Sequence, residues 1–294
     1  MRAATSLLRE RILPVLVVVA AILVVWHVFV VVMNAPFERD QAARAGMSPS
    51  FAEIVPRTFS QTRPVLPAPH QIAAELWDTT VNKAITSKRS LIYHASVTLS
   101  AALAGFVIGS LLGIGLAIAL IHSRVLDSSL MPWVIASQTV PIIAIAPMVI
   151  VVLNAVGITG LLPKAMISAY LSFFPVAVGA VTGLRSADRL LLDMMRTYSA
   201  SKAQIFWKVR WPSSLPYVFA SLKIAVAAAL VGAIVGELPT GAVAGLGARL
   251  LSGSYYGQTV QIWSALVMAA VVGAGLVALV GLVQSVVLRR MEGR

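Results

Sequence analysis

The chain has 294 residues, of which 59% are hydrophobic and only 12% charged, with a mean hydropathy of +0.88. A soluble domain carries about 25% charged residues, so this composition excludes a water-solvated globule and requires lipid around most of the surface. The absence of cysteine excludes disulfides, iron–sulfur clusters, thiolate metal sites and cysteine nucleophiles. The net charge of +12 fits Lys and Arg in the inner loops of a membrane chain better than a nucleic-acid surface.

A membrane-crossing helix needs about 20 mostly apolar residues. The first is expected over Ile12–Met33, behind Arg2, Arg9 and Arg11. Its apolar run is too long for a signal peptide and no small-x-small cleavage site follows, so it reads as a retained anchor. Residues 34–90 are polar and punctuated by Pro36, Pro49, Pro56, Pro64, Pro67 and Pro69. They read as an outer loop with one short helix over about Pro69–Ala84. Five further spans are expected at Leu91–Ile121, Leu130–Leu153, Leu161–Leu184, Tyr217–Leu238 and Ile262–Leu288. The fold class is therefore an all-α integral membrane protein with six transmembrane helices.

Charge sets the orientation. With the N-terminus inside, the inner segments hold thirteen Lys and Arg, against only Lys164 and Arg249 in the short outer loops. The long outer loop holds seven more, but loops of that length escape the rule. Both termini are expected in the cytosol. The chain divides into an anchor over 1–33, an outer loop over 34–90, a core over 91–290 and a tail over 291–294.

The second span carries Gly105, Gly109 and Gly113 in one row, and the fifth carries Gly232 and Gly236. Such rows let another helix backbone lie close, either within the chain or in a dimer. The third span holds Pro132, Pro141 and Pro147, so it must be kinked or broken. Irregular backbone survives in a bilayer only against protein or water, which makes Gln138, Thr139 and Pro141 candidates for lining a path. Glu237 is the one acid within an apolar span, and it serves either a transport path or the order of a loop. No phosphate-cradling G-x-x-x-x-G-K-[ST] loop is present, nor any serine–histidine–acid set. No cofactor or metal is called for, and any uphill transport must draw energy from a partner.

The longest inner segment, 185–216, reads RSADRLLLDMMRTYSASKAQIFWKVRWPSSLP. Ser201–Val209 suits a short helix, with Ile205, Phe206 and Val209 as an apolar stripe. Pro212 and Pro216 are expected to end that run before the fifth span. Such a helix either rests on the bilayer or docks into a groove on a cytosolic protein.

This segment resembles the EAA loop of binding-protein-dependent ABC importer permeases, whose pattern is E-A-A, three residues, G, nine residues and I-x-L-P. Asp193, Met194 and Met195 stand where E-A-A falls, and Ser199 takes the glycine position. Arg210-Trp211-Pro212 and Leu215-Pro216 follow the downstream part. Leu66-Pro67-Ala68-Pro69, Thr139-Val140-Pro141, Ala146-Pro147, Glu237 and Gly245-Leu246-Gly247 resemble the nitrate, sulfonate, taurine and pyrimidine-precursor branch. The resemblance implies a type I permease with a coupling helix between spans four and five, in a bacterial inner membrane. It implies two cytosolic ATPase subunits, an outer solute-binding protein and a second permease copy as partners. Asp193, Met194, Met195, Ser199, Ile205, Phe206, Val209, Pro212, Leu215 and Pro216 would then couple to the ATPase. An ion-coupled secondary transporter is the alternative, and it would have only Glu237 to work with.

Overall fold

In the computed structural model the described residues, 13–239 and 242–292, form helices and their connections without a strand. Arg2, Arg9, Arg11, Ile12 and the last two tail residues lie outside them. Five helices are long and apolar enough to cross a membrane, and a sharply bent pair supplies a sixth crossing if it counts as one span. The protein is a multi-pass membrane protein.

By their contacts the residues form two compact units, one of residues up to Ser90 with Arg249–Val267, the other of Leu91–Ala248 with residues from Met268 onward. The first unit begins with α1 (Leu13–Arg44), whose apolar part is almost wholly exposed and therefore faces lipid. This helix does not stop at Met33. It continues through Pro36 for about another three turns, so residues 34–44 are not the loop expected from their prolines.

Buried polar groups explain the extension. Asn34 is fully buried, and its carboxamide donates to the carbonyls of Thr58 (3.2 Å) and Leu66 (2.9 Å) while accepting from the N–H of Val65 (2.8 Å) and Leu66 (3.2 Å). One turn on, Glu38 accepts from the Gln61 amide at 2.7 Å. A buried carboxamide with all its bonds made specifies one chain path, because breaking any of them strands a desolvated group. The segment also contains α2 (Phe51–Thr58) and α3 (Pro69–Trp77), the latter running on through a wider turn at Asp78–Asn82. The expected short helix is thus present. Trp26 donates from its indole to Pro67 O (3.0 Å) and packs against the tilted ring of Trp263, the centroids 4.8 Å apart. Burial pulls the Arg249 guanidinium below its usual pKa, and Glu75, 4.0 Å away, opposes that shift.

The second unit is organised around α7 (Leu161–Arg185), held between α4 (Leu91–His122) and α10 (Trp211–Glu237). The glycine row of α4 meets α7 at backbone distance. A β-carbon added at Gly105 would lie 2.2 Å from Ser168 Cβ and 2.5 Å from Ala165 O. At Gly109 it would meet Ser172 Oγ at 2.2 Å, and at Gly113 the backbone of Ala177 at 2.9 Å. Gly232 of α10 approaches the Cα of Ser168 in the same way, at 2.7 Å. Both small-residue rows are therefore used inside the chain. Lys164, Ser168 and Ser172 are buried on α7, which explains why its apolar pattern is weaker than that of its neighbours. The remaining helices are α5 (Arg124–Ser137), α6 (Ile142–Ala155), α8 (Arg189–Thr197), α9 (Lys202–Ile205), α11 (Leu246–Tyr255) and α12 (Thr259–Glu292).

One paired substitution tests this packing. Gly105→Ala is expected to lower stability by about 1–3 kcal/mol through overpacking, because backbone atoms cannot move aside. Gly115→Ala, with nothing within 4 Å, is expected to be neutral. Thermal unfolding midpoints in detergent measure both.

Candidate coupling loop and solute path

The third expected span is a broken one. Between α5 and α6 the chain bends by 98° at Gln138–Pro141. Pro132 and Pro147 lie inside helices, whereas Pro141 caps α6 with extended backbone. The reason is specific: Pro141 has no N–H to give the Ser137 carbonyl four residues back. That carbonyl instead accepts the Tyr170 hydroxyl of α7. The break is thereby satisfied by protein, as irregular backbone at membrane depth requires.

Beside the break lies a groove of about 640 Å³ between α7 and α10. Gln138 lines it with Phe174, Val178, Thr182, Tyr217 and Ile224, and no charged side chain contributes. Of the expected path residues, Gln138 reaches the groove, while Thr139 and Pro141 are exposed at the bend without lining it.

Glu237 does not line that groove. It is fully buried at the end of α10, and its oxygens are held within the protein. The Gly247 N–H donates to Oε2 at 2.8 Å, the Thr98 hydroxyl lies 3.0 Å from both oxygens, and Lys164 Nζ stands 4.0 Å from Oε1. Thr98 also accepts from Leu246 N–H (2.8 Å), and His94 accepts from Gly245 N–H (3.0 Å). Gly245 sits at φ +126°, and a β-carbon there would lie 2.2 Å from the Glu237 carboxyl carbon. The carboxylate staples Gly245-Leu246-Gly247 to α4 and α10. Of the two roles open to Glu237, the structure supports the ordering of a loop.

The segment 185–216 includes α8, capped by Asp188, whose side chain accepts from Leu190 N–H at 2.9 Å. Asp193 and Arg196 pair at 2.9 Å on its exposed side. No residue of α8 is buried; Met195 is half-buried, and Leu190, Met194 and then Tyr198 stand exposed. The helix ends at Ser199, the only non-glycine residue with positive φ (+55°) among those described. Its N–H donates to Arg196 O at 2.9 Å and the Ala200 N–H to Met195 O at 2.9 Å, the two bonds that close a left-handed helix end. The glycine position of the family pattern thus keeps the glycine conformation with a serine in it.

A short helix does form within the expected Ser201–Val209 stretch, with Ser201 capping α9 through the Gln204 N–H (3.3 Å). It differs in two respects. Pro212 and Pro216 do not end the helix: α9, a wide turn at Phe206–Arg210 and α10 make one helix of 36 residues, Lys202–Glu237. The wide turn closes with the Trp211 N–H on Phe206 O, so the bond Pro212 cannot donate falls where the ladder has already changed register. Leu215 is half-buried and Pro216 exposed on this continuous helix.

The second difference concerns Phe206. It is 7% exposed and packs into this chain's own core with Leu120, Leu184 and Val218, so it is not an outward docking residue. Ile205 and Val209 beside it are half-buried. The outward apolar group is Trp207, 63% exposed. Sequence reasoning missed Leu190, Tyr198 and Trp207; the i, i+4 spacing of Leu190 and Met194 was the available signal.

Comparisons with known proteins agree with this geometry. The family of binding-protein-dependent transport system inner membrane components matches residues 88–293. The riboflavin transport system permease RibX of Chloroflexus aurantiacus is 33% identical over 225 residues, covering 76% of this chain and 80% of that protein. The formylaminopyrimidine transport permease ThiX of Halalkalibacterium halodurans is 33% identical over 196 residues, 66% of this chain and 73% of that protein. The nitrate import permease NrtB of Leptolyngbya laminosa is 24% identical over 221 residues, 74% and 77%. Among solved structures, the MetNI methionine ABC transporter in inward-facing conformations matches with a TM-score of 0.50 at 19% identity, covering 75% of this chain and 96% of that one.

Two substitutions check the backbone devices. Ser199→Gly is expected to stabilise the loop by up to about 1 kcal/mol, since a left-handed L-residue costs about 1–2 kcal/mol and glycine returns part of that as entropy. Tyr170→Phe is expected to destabilise by about 1–3 kcal/mol, because the Ser137 carbonyl loses its donor. Thermal unfolding of the purified protein reads both signs.

Proposed function

The chain belongs to the family of binding-protein-dependent transport system inner membrane components and is a permease subunit of an ABC importer; from that membership we propose how it couples ATP hydrolysis to passage of a solute. Its partners are an ATPase and a solute-binding protein. In the proposed assembly two copies of the chain face each other across the α7–α10 groove, each engaging one ATPase subunit in the cytosol. Both termini lie on the cytosolic side, and hydrolysis takes place on the ATPase subunits. The solute is small and is delivered from outside by the binding protein, as the riboflavin, formylaminopyrimidine and nitrate permeases among its relatives suggest.

One observation carries the mechanism: the coupling segment and the groove-lining helix are a single helix, Lys202–Glu237. A push on its inner end acts directly on Tyr217 and Ile224 of the groove wall. The docking face is built from Leu190, Met194 and Tyr198 with Trp207, and a large apolar group held in water marks such a face. Met195 and Ser199 set how α8 ends, Asp193 pairs with Arg196 on its exposed side, and Ile205, Phe206 and Val209 anchor the coupling helix to the core. ATP binding would close the ATPase pair, shift both coupling helices and rock the two copies between outward and inward access. Differential contact of the ATPase with the two states supplies the coupling energy. Gln138 and the uncharged groove wall give the solute its passage.

Trp207→Asp is expected to reduce binding-protein-stimulated ATP hydrolysis at least tenfold, about 1.4 kcal/mol of lost docking or more, while the protein still inserts and keeps its stability. Phe206→Asp is expected to lower the yield of folded permease instead, because it buries a charge in the core. Co-purification of the ATPase in lipid nanodiscs measures the first, and size-exclusion yield the second. Undiminished stimulation in Trp207→Asp would contradict the docking assignment.

A further inference from the structure

A second cleft, of about 590 Å³, opens where α4 ends, α5 begins and the coupling segment returns. Its rim carries Arg124, Arg196, Lys202 and Arg210, and no acidic residue lines it. Its apolar lining comes from Ile121, Leu192, Ala200, Ile205 and Phe206. Arg196 is partly neutralised by Asp193 at 2.9 Å, and Arg210 reaches the Leu184 carbonyl at 3.4 Å. Arg124 and Lys202 form no ion pair among the described residues. The nearby acid Asp127 is taken up by Arg185 at 2.7 Å. The coupling mechanism proposed above uses none of these four cations.

We infer that this cleft holds the phosphate headgroup of an anionic membrane lipid, with an acyl chain along the apolar lining. The inference rests on the orientation and ATPase partnership proposed above. Three features favour a lipid over an acidic segment of the ATPase. The positive charge is unbalanced, which suits a phosphodiester. Half the lining is apolar, which suits a hydrocarbon chain and offers nothing to a carboxylate. The cleft also lies at the level where His122 ends α4 and Arg210 precedes α10, the depth at which basic side chains meet inner-leaflet headgroups. A lipid seated there joins the end of α4 to the α8–α9 turn and holds the coupling helix in register. Transport coupling in this protein therefore depends on anionic lipid.

The test uses the permease–ATPase complex in nanodiscs of phosphatidylcholine, of phosphatidylcholine with phosphatidylglycerol, and of phosphatidylcholine with inorganic phosphate in solution. Native mass spectrometry of the permease reads retained lipid, and ATP hydrolysis reads coupling. The wild type is expected to retain phosphatidylglycerol and to hydrolyse ATP several-fold faster with it, while inorganic phosphate has no effect. The double variant R124Q/K202Q is expected to retain about tenfold less phosphatidylglycerol and to lose most of that stimulation. The charge-keeping R124K/K202R is expected to behave as wild type, which separates lost charge from misfolding. The inference is overturned if the wild type retains no phosphatidylglycerol, or if inorganic phosphate reproduces the stimulation. It is overturned equally if R124Q/K202Q keeps its lipid but sheds the ATPase, which would make the cleft a partner's acidic socket. Failure of any ATPase to co-purify with the wild type would instead undo the functional proposal, and lipid retention by the permease alone would still decide this one.

Discussion

The close approach of α7 to α4 and α10 is the constraint on which the second unit depends. Between helices in a bilayer there is no hydrophobic drive, so association relies on van der Waals contact and hydrogen bonds, and both need backbones near each other. Gly105, Gly109 and Gly232 allow that approach, with Ser168 lying between two of these glycines. Three helices fixed at such distances move as one body. Since α10 and the segment carrying Trp207 are one helix, a partner docked at Trp207 in the proposed assembly would grip that body.

Two local departures from regular helix make the rest possible, and each has its compensation built in. Pro141 interrupts the third span, and Tyr170 satisfies the carbonyl it abandons. Ser199 turns the chain between α8 and α9, and two backbone hydrogen bonds hold its unfavourable φ in place. At the other end of α10, Glu237 has the opposite task, tying Gly247 and Thr98 together through its carboxylate. A buried carboxylate needs such partners simply to remain where it is, which accounts for an acid in a span whose groove contains no charge.

Much of this was legible in the sequence because membrane helices announce themselves. The apolar runs located five long helices to within a few residues at most ends, the glycine rows marked the packed faces, and Pro141 marked the break. The failures share one physical origin. The spacing of Ile205, Phe206 and Val209 defines a stripe, but a helix between a core and a partner has apolar residues on both sides, and spacing does not say which side is which. Trp207 was passed over for that reason. The partners of Asn34 and Glu237 were obscure because they lie far along the chain, Thr98 being 139 residues from Glu237. The proline at 212 misled because a wide turn at Phe206–Arg210 had already shifted the hydrogen-bond ladder beside it, while Pro216 is carried inside α10.

The most direct measurement exploits the absence of cysteine. Spin labels at Ala203→Cys and Val231→Cys, both exposed positions on the continuous helix, would report its rigidity by pulsed electron resonance. Twenty-eight residues of unbroken helix place the two positions about 42 Å apart. With the labelled chain diluted among unlabelled copies, one narrow distance is expected, unchanged between the nucleotide-free and ATP-bound complex. A distance that broadens or shifts on ATP binding would show a hinge at Phe206–Arg210, and the coupling helix could not then act on the solute path as a rigid lever.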